Sequence, residues 1–324
     1  HGDRPIAQFN VEPGGLVEVQ KRMKVAQRKH WLQAQRGGLF QALHGIAQCG
    51  GLLFPVQGQF ARELNSTVPV SICNLTLLYE VNFANNFLHG SIPSCIDQLT
   101  QMRGFTFSYN NLTGSIPPSL GNLTQLGGID FDNNDLTGTI PDTLGNLTNL
   151  AYIAVYVNRL SGQIPPSLCN LTRLFGLYFY NNTLTGQIPD CWNQLGNLQT
   201  FDANDNQFSG TLPGNALSMP GLRDFSVRNS RISGPIPSLF GPSLLIIELV
   251  NNRLTGTLPA GVFLLPIMTT LEVSQNYLTG TIPNSVNKSV LAFTLDLGMN
   301  HFTGTIPTHI GDCRALQYLL LANN

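Results

Sequence analysis

Apolar residues along this chain recur in a fixed order that ends on a polar one: Leu171, Leu174, Leu177 and Phe179 are followed by Asn182. Leu177 and Phe179, two apart, predict a short strand with one buried face. Each such stretch leads into Leu-x-Gly-x-Ile-Pro, whose Gly falls at 90, 114, 138, 162, 186, 210, 234, 256, 280 and 304, a spacing of 24 with one step of 22. A degenerate earlier copy has Ser66 in the Gly place before Val68-Pro69, which brings the visible turns to eleven. Four residues before each Gly stands an Asn (86, 110, 134, 158, 182, 206, 252, 276 and 300), with Ser230 the exception and Asn324 continuing the register.

The pattern predicts a solenoid. The Asn side chain can bond backbone groups left unpaired where each turn bends. The Gly permits a tight bend, and Ile-Pro favours an extended path. No single turn buries its apolar side alone; stacked at about 4.8 Å, the turns bury a continuous core and present a parallel sheet on the inner curve.

The full repeat, Leu-x-x-Leu-x-Leu-x-x-Asn-x-Leu-Thr-Gly-x-Ile-Pro, resembles the plant-type extracellular leucine-rich-repeat family, as do phrases such as Ser119-Leu-Gly-Asn-Leu-Thr124. The resemblance covers residues 62–324. It implies an α/β solenoid, a curved superhelix of about eleven 24-residue turns with a parallel inner-face sheet and a second short sheet near the Gly-x-Ile-Pro segments. It also implies membership among receptor ectodomains, polygalacturonase-inhibiting proteins and related cell-surface proteins. The family's Trp-x-Gly-Val-x-Cys cap is missing, with Trp31 and Cys49 present at another spacing, and so is its paired-Cys C-terminal cap.

Composition adds a division. Charged residues are 11% of the chain, far below the usual quarter, which excludes a coiled coil or charged tail. Residues 1–62 hold eight Lys/Arg against three Asp/Glu, whereas 63–324 hold nine against fifteen. Residues 1–61 therefore read as a separate basic cap. Val19, Met23, Ala26 and Leu32 recur at helical spacing among Lys21, Arg22, Lys24, Arg28 and Lys29, which predicts an amphipathic helix over 16–35. No aromatic residue is interleaved with these bases, so nucleic acid is not the expected partner. The longest apolar clusters, 244–250 and 262–268, fall short of the ~18 residues of a membrane span. The start at His1 without a leader is what a secreted protein shows once its signal peptide is removed.

Cys73 and Cys95 sit at similar phases of adjacent turns, as do Cys169 and Cys191 about a hundred residues later. Such positions lie within disulfide reach, which predicts Cys73–Cys95 and Cys169–Cys191. Cys313 stands where other turns carry Leu and reads as a buried filler; Cys49 has no assigned partner. Asn-x-Ser/Thr sequons fall at Asn65, Asn74, Asn111, Asn122, Asn146, Asn170, Asn181 and Asn287. Asn74, Asn122, Asn146 and Asn170, each in Asn-Leu-Thr at one phase, predict a row of N-linked glycans away from the inner sheet. Sequons and duplicated Cys pairs together point to secretion, at the cell wall or cell surface.

Alternation places the residues six, four, two and one before the ladder Asn on the inner face. Nine acids fall there: Glu80, Asp130, Asp132, Asp202, Asp205, Asp224, Glu248, Glu272 and Asp296, with Arg228 the one base. Glu248, Glu272 and Asp296 stack in one column, like charges one strand apart, which a basic partner would relieve. At the centre of this map Tyr152, Tyr156, Tyr178 and Tyr180 cluster, with Tyr109 farther toward the N-terminus. Tyr on a rigid sheet is a typical interface anchor.

Asp130-Phe-Asp132-Asn-Asn134-Asp135 echoes the opening of a calcium loop, but the Gly and distal Glu are absent, so no metal is expected. No cofactor motif and no catalytic constellation stands out, and an open sheet offers no enclosed pocket for paired carboxylates. Thr137/Thr139, Thr255/Thr257, Thr279/Thr281 and Thr303/Thr305 flank their Gly residues in regular rows, like those of ice-binding solenoids. The chain stops at Asn324 after Leu319-Leu-Leu321. The expectation is either a piece of a longer ectodomain or an edge, Leu319, Leu321 and Asn324, covered by another copy stacking head to tail. Three readings stay open: a secreted, non-catalytic scaffold binding a basic protein or peptide on the inner face, an end-to-end filament under a glycan coat, and ice binding.

Overall fold

The computed structural model describes residues 64–284 and 294–324. Eleven three-residue strands, from Glu80–Asn82 to Tyr318–Leu320, pair in chain order as one parallel sheet. Their register follows the apolar period: Val81 faces Phe105, Phe105 faces Ile129, and the line continues through Ile153, Leu177, Phe201, Phe225, Ile247, Leu271, Leu295 and Leu319. Most of this column is fully buried, and beside it Phe107 packs on Phe131 at 5.7 Å while Trp192 meets Phe201 edge-on at 4.2 Å.

The Asn column behaves as its position demands. Asn182 accepts the Leu160 N–H through Oδ1 and donates through Nδ2 to the carbonyls of Val155, Phe179 and Tyr180. The same four-bond set ties Asn110, Asn134, Asn158, Asn206, Asn252, Asn276 and Asn300 to their own and the preceding turn. Ser230 is too short to join, and its Oγ is buried without a partner.

The residue before each ladder position is left-handed, from Asn85 at φ 61° to Asn323 at φ 60°, whatever its type; even Val157 stands at φ 51°. The ten repeat Gly residues also have positive φ, 73° to 86°, which explains their spacing. Beyond them runs a second parallel layer, in which Ser161–Gly162, Thr183–Gly186, Gln207–Thr211, Arg231–Gly234 and Arg253–Leu254 form one sheet. The outer connections are 3₁₀ turns rather than α-helices, such as Pro118–Asn122 and Asp142–Asn146, each entered from an extended Pro.

Both expected disulfides form, Cys73–Cys95 and Cys169–Cys191, each with Cα atoms 5.9 Å apart. Cys313 corrects the sequence reading: it is free and only half-buried, because its turn packs against one neighbour instead of two. The expected cap over 1–61, its helix, Cys49 and Asn287 lie outside the described residues. Among the described residues no helix is long and apolar enough to cross a membrane.

Candidate binding face on the inner sheet

Strand alternation and two glycines assemble the tyrosine cluster. Gly128 pairs with Tyr152, and a Cβ on Gly128 would come within 2.5 Å of the Tyr152 ring. A Cβ on Gly176 would meet the Tyr178 ring at 2.6 Å. Both rings therefore lie down over bare backbone. Tyr156 and Tyr180 stack with centroids 4.3 Å apart and planes 13° from parallel. Tyr109 is 44% exposed on the left-handed position of an earlier turn, close enough for its hydroxyl to bear on both stacked rings.

Asp130 and Asp132 lie against this cluster. Asp132 is only 2% exposed and accepts a 2.6 Å hydrogen bond from Asn133 Nδ2. Burial first, then Asp132 beside it, pushes the Asp130 carboxyl far above the usual carboxylate range. Burial and the neighbouring acids Asp130 and Asp132 push Tyr152 up to about 12. Burial and then Asp202 take Tyr180 to about 12, and burial and Asp132 carry Tyr156 above the ordinary phenol range. Burial also raises Tyr178. The four hydroxyls are thus neutral donors and acceptors at any physiological pH, and a protonated Asp130 can donate as well.

The second half of the face is acidic but internally braced. Glu248, Glu272 and Asp296 pair in register, as expected. Part of their repulsion is relieved from within the chain: Arg228 lies 3.4 Å from Glu248 and 3.9 Å from Glu272, Ser226 Oγ donates to Glu248 at 3.2 Å, and Ser274 Oγ donates to Asp296 at 2.7 Å. Burial and then Glu248 still raise Glu272. Asp202 rises to about 6, chiefly through burial, and Asp224 is raised for the same reason. Asp205 is exposed at the rim and accepts from Asn229 Nδ2 at 2.6 Å. Glu80 stands exposed on the first strand. Sequence reasoning missed the bracing serines and the two seating glycines; glycine in a strand column was the available signal.

The remaining predicted positions lie elsewhere. Asn65, Asn74, Asn111, Asn122, Asn146, Asn170 and Asn181 are all exposed, and Asn74, Asn122, Asn146 and Asn170 each end an outer 3₁₀ turn. Thr137, Thr139, Thr255, Thr257, Thr279, Thr281, Thr303 and Thr305 are exposed along the second layer. Leu319 is 37% exposed, Leu321 is half-buried, and Asn324 bonds the carbonyls of Leu297 and Leu321. No group of three or more His, Cys, Asp or Glu among the described residues is placed to hold a metal ion.

A Leucine Rich Repeat family model matches residues 101–123 and 125–147. Among solved structures, a TDR receptor is 30% identical with a TM-score of 0.73, covering 83% of this chain and 51% of its own. The plant peptide hormone receptor RGFR1 in complex with RGF2 is 28% identical with a TM-score of 0.69, covering 81% of this chain and 50% of its own. A plant ice-binding protein is 27% identical with a TM-score of 0.66, covering 76% of this chain and 81% of its own. The chain thus spans about half the length of the two receptors. No curated protein matches its sequence. No enzymatic family is indicated by these matches. Repeat, sheet order and structural neighbours together identify the chain as a leucine-rich-repeat solenoid, similar in fold to the plant peptide hormone receptor RGFR1.

Proposed function

We propose that this chain is a secreted, non-catalytic scaffold that binds a protein or peptide of basic character on its inner face. The observation that carries the reading is the stacked Tyr156–Tyr180 pair set among buried carboxyl groups. Aromatic rings held flat on a rigid sheet bury contact area at little entropic cost. Their neutral hydroxyls satisfy a peptide backbone, and Asp202, Asp224 and Glu272, destabilised by burial and by the nearby Glu248, gain from a Lys or Arg. The receptor RGFR1, similar in fold, was solved with RGF2, which supports a peptide in this role. Two disulfides and the exposed sequons suit an oxidising, glycosylating compartment.

Panning a display library of random peptides against the chain, produced by secretion, tests this. Enriched peptides carry Lys or Arg, and their affinity falls at least about tenfold, about 1.4 kcal/mol, in Tyr156→Ala/Tyr180→Ala. Failure to enrich any peptide, or equal binding to the double variant, rejects the reading.

A second reading rests on the plant ice-binding protein, of which this chain covers 81%, and on the exposed Thr rows of the second layer. Thermal hysteresis decides it: ice shaping that Thr257→Leu/Thr279→Leu abolishes would support it, and an unaltered freezing curve rejects it.

A further inference from the structure

Six residues at the position before the ladder are asparagines, Asn85, Asn133, Asn181, Asn229, Asn251 and Asn323, and one of them alone begins an acceptor sequon. Asn133, Asn229 and Asn251 each spend their carboxamide on a side chain: Asn133 donates to Asp132, Asn229 to Asp205, and Asn251 to Asn229. Asn181, in the same column, is exposed and makes no side-chain hydrogen bond among the described residues. It also begins the single Asn-x-Thr of that column, Asn181-Asn182-Thr183, whereas Asn133, Asn229 and Asn251 are followed two residues later by Asp135, Arg231 and Arg253. Its backbone is pinned at φ 55°, with its N–H on the Asn204 carbonyl and its own carbonyl accepting from Asn158. The side chain therefore leaves a fixed point on the rim of the inner sheet, one residue from Tyr180 and flanked by Val157 and Asp205 in its column.

The geometry points to Asn181 as an N-glycosylated residue whose sugar screens the Tyr156–Tyr180 pair from the rim side. Asn74, Asn122, Asn146 and Asn170 end outer turns and leave the inner face untouched; Asn181 does not. Resting on the inner-face reading above, this narrows the partner. A branched glycan standing on the rim obstructs a folded domain approaching over that edge. An extended peptide lying across the strands, over Asp130, Tyr178 and Asp202, passes beneath it. The class of partner that fits is therefore a flexible basic peptide rather than a globular protein.

The test needs no natural ligand. The full chain is secreted from plant cells, and glycopeptide mass spectrometry reads the occupancy of Asn181. Nanobodies are selected against N181Q, keeping those whose binding is lost in N181Q/Y180A. The expected result is a glycan on Asn181 and at least tenfold weaker nanobody binding to the wild-type glycoprotein than to N181Q. Thr183→Val, which abolishes the acceptor sequence but keeps Asn181, restores binding as N181Q does, and N122Q does not. An unmodified Asn181, or nanobodies that bind glycosylated wild type and N181Q equally, overturns the inference while leaving peptide binding to its own experiment.

Discussion

Tyr156 and Tyr180 occupy the same position of successive turns, and their rings stack 4.3 Å apart because the parallel sheet holds equivalent side chains at one strand spacing. The same repetition that builds the core therefore repeats whatever the inner columns carry, so that a tyrosine becomes a platform and a carboxylate becomes a ladder.

The Asn column ties each turn to the one before it through buried side-chain bonds. Asn206→Ala removes one acceptor and three donations at once, leaving the Leu184 N–H and the Ala203 carbonyl without their side-chain partner in a buried corner. A loss of about 3 kcal/mol or more follows. Ser230→Asn works the other way, filling the break in the column and giving a partner to a corner where Ser230 Oγ has none. Chemical unfolding midpoints check both; a Ser230→Asn variant less stable than wild type would show that the shorter neighbouring turn, not the residue, breaks the ladder.

Val157 is a β-branched residue held at φ 51° in a column otherwise suited to Asn. The left-handed region costs such a residue about 1–2 kcal/mol. Val157→Asn raises the melting temperature, measured calorimetrically, and Val157→Ile leaves it near wild type. Equal melting of Val157→Asn and wild type would place the strain elsewhere.

Burial raises Asp202 from 3.8 to about 6. A carboxyl raised on folding holds more protons folded than unfolded between those values. Its destabilising charge is thus absent below about pH 4 and sets in as pH rises through about 6. Asp202→Asn stabilises at pH 7.5 and has little effect at pH 4, which melting curves at the two pH values resolve. A variant that stabilises equally at both would mean that Asp202 titrates normally.

The Cys169–Cys191 bridge closes a segment with a sequence separation of 22. Chain-entropy arguments give it about 3 kcal/mol. Cys169→Ala/Cys191→Ala lowers the unfolding midpoint accordingly, and unchanged stability under non-reducing conditions would contradict the bridge.

Much of this was legible from spacing. The Gly at 24-residue intervals, the Asn four residues earlier and the period-two apolar pairs each report a local requirement, and all three appear as positive φ, side-chain ladder and buried column. The Cys pairs were legible because equal phase in adjacent turns means proximity. The left-handed position was not, because Val157, Tyr109 and Met299 share it with asparagines; neighbouring turns impose it through hydrogen bonds such as Val157 N–H to the Tyr180 carbonyl. The bracing of the acid ladder by Arg228, Ser226 and Ser274 was likewise hidden, since it depends on side chains reaching diagonally between turns. The burial of Asp132, bonded by Asn133 and beside Tyr156, was not legible either, since alternation places it only on the inner face.

The central claim is that a peptide lies on the inner face. Hydrogen–deuterium exchange of the chain secreted from plant cells, with and without a saturating display-selected basic peptide, tests it most directly. Protection confined to Tyr152–Ala154, Gly176–Tyr178 and Thr200–Asp202, absent in Tyr156→Ala/Tyr180→Ala, is the predicted result. Protection along the Thr-flanked second layer or the outer 3₁₀ turns, with the inner strands unchanged, would contradict it.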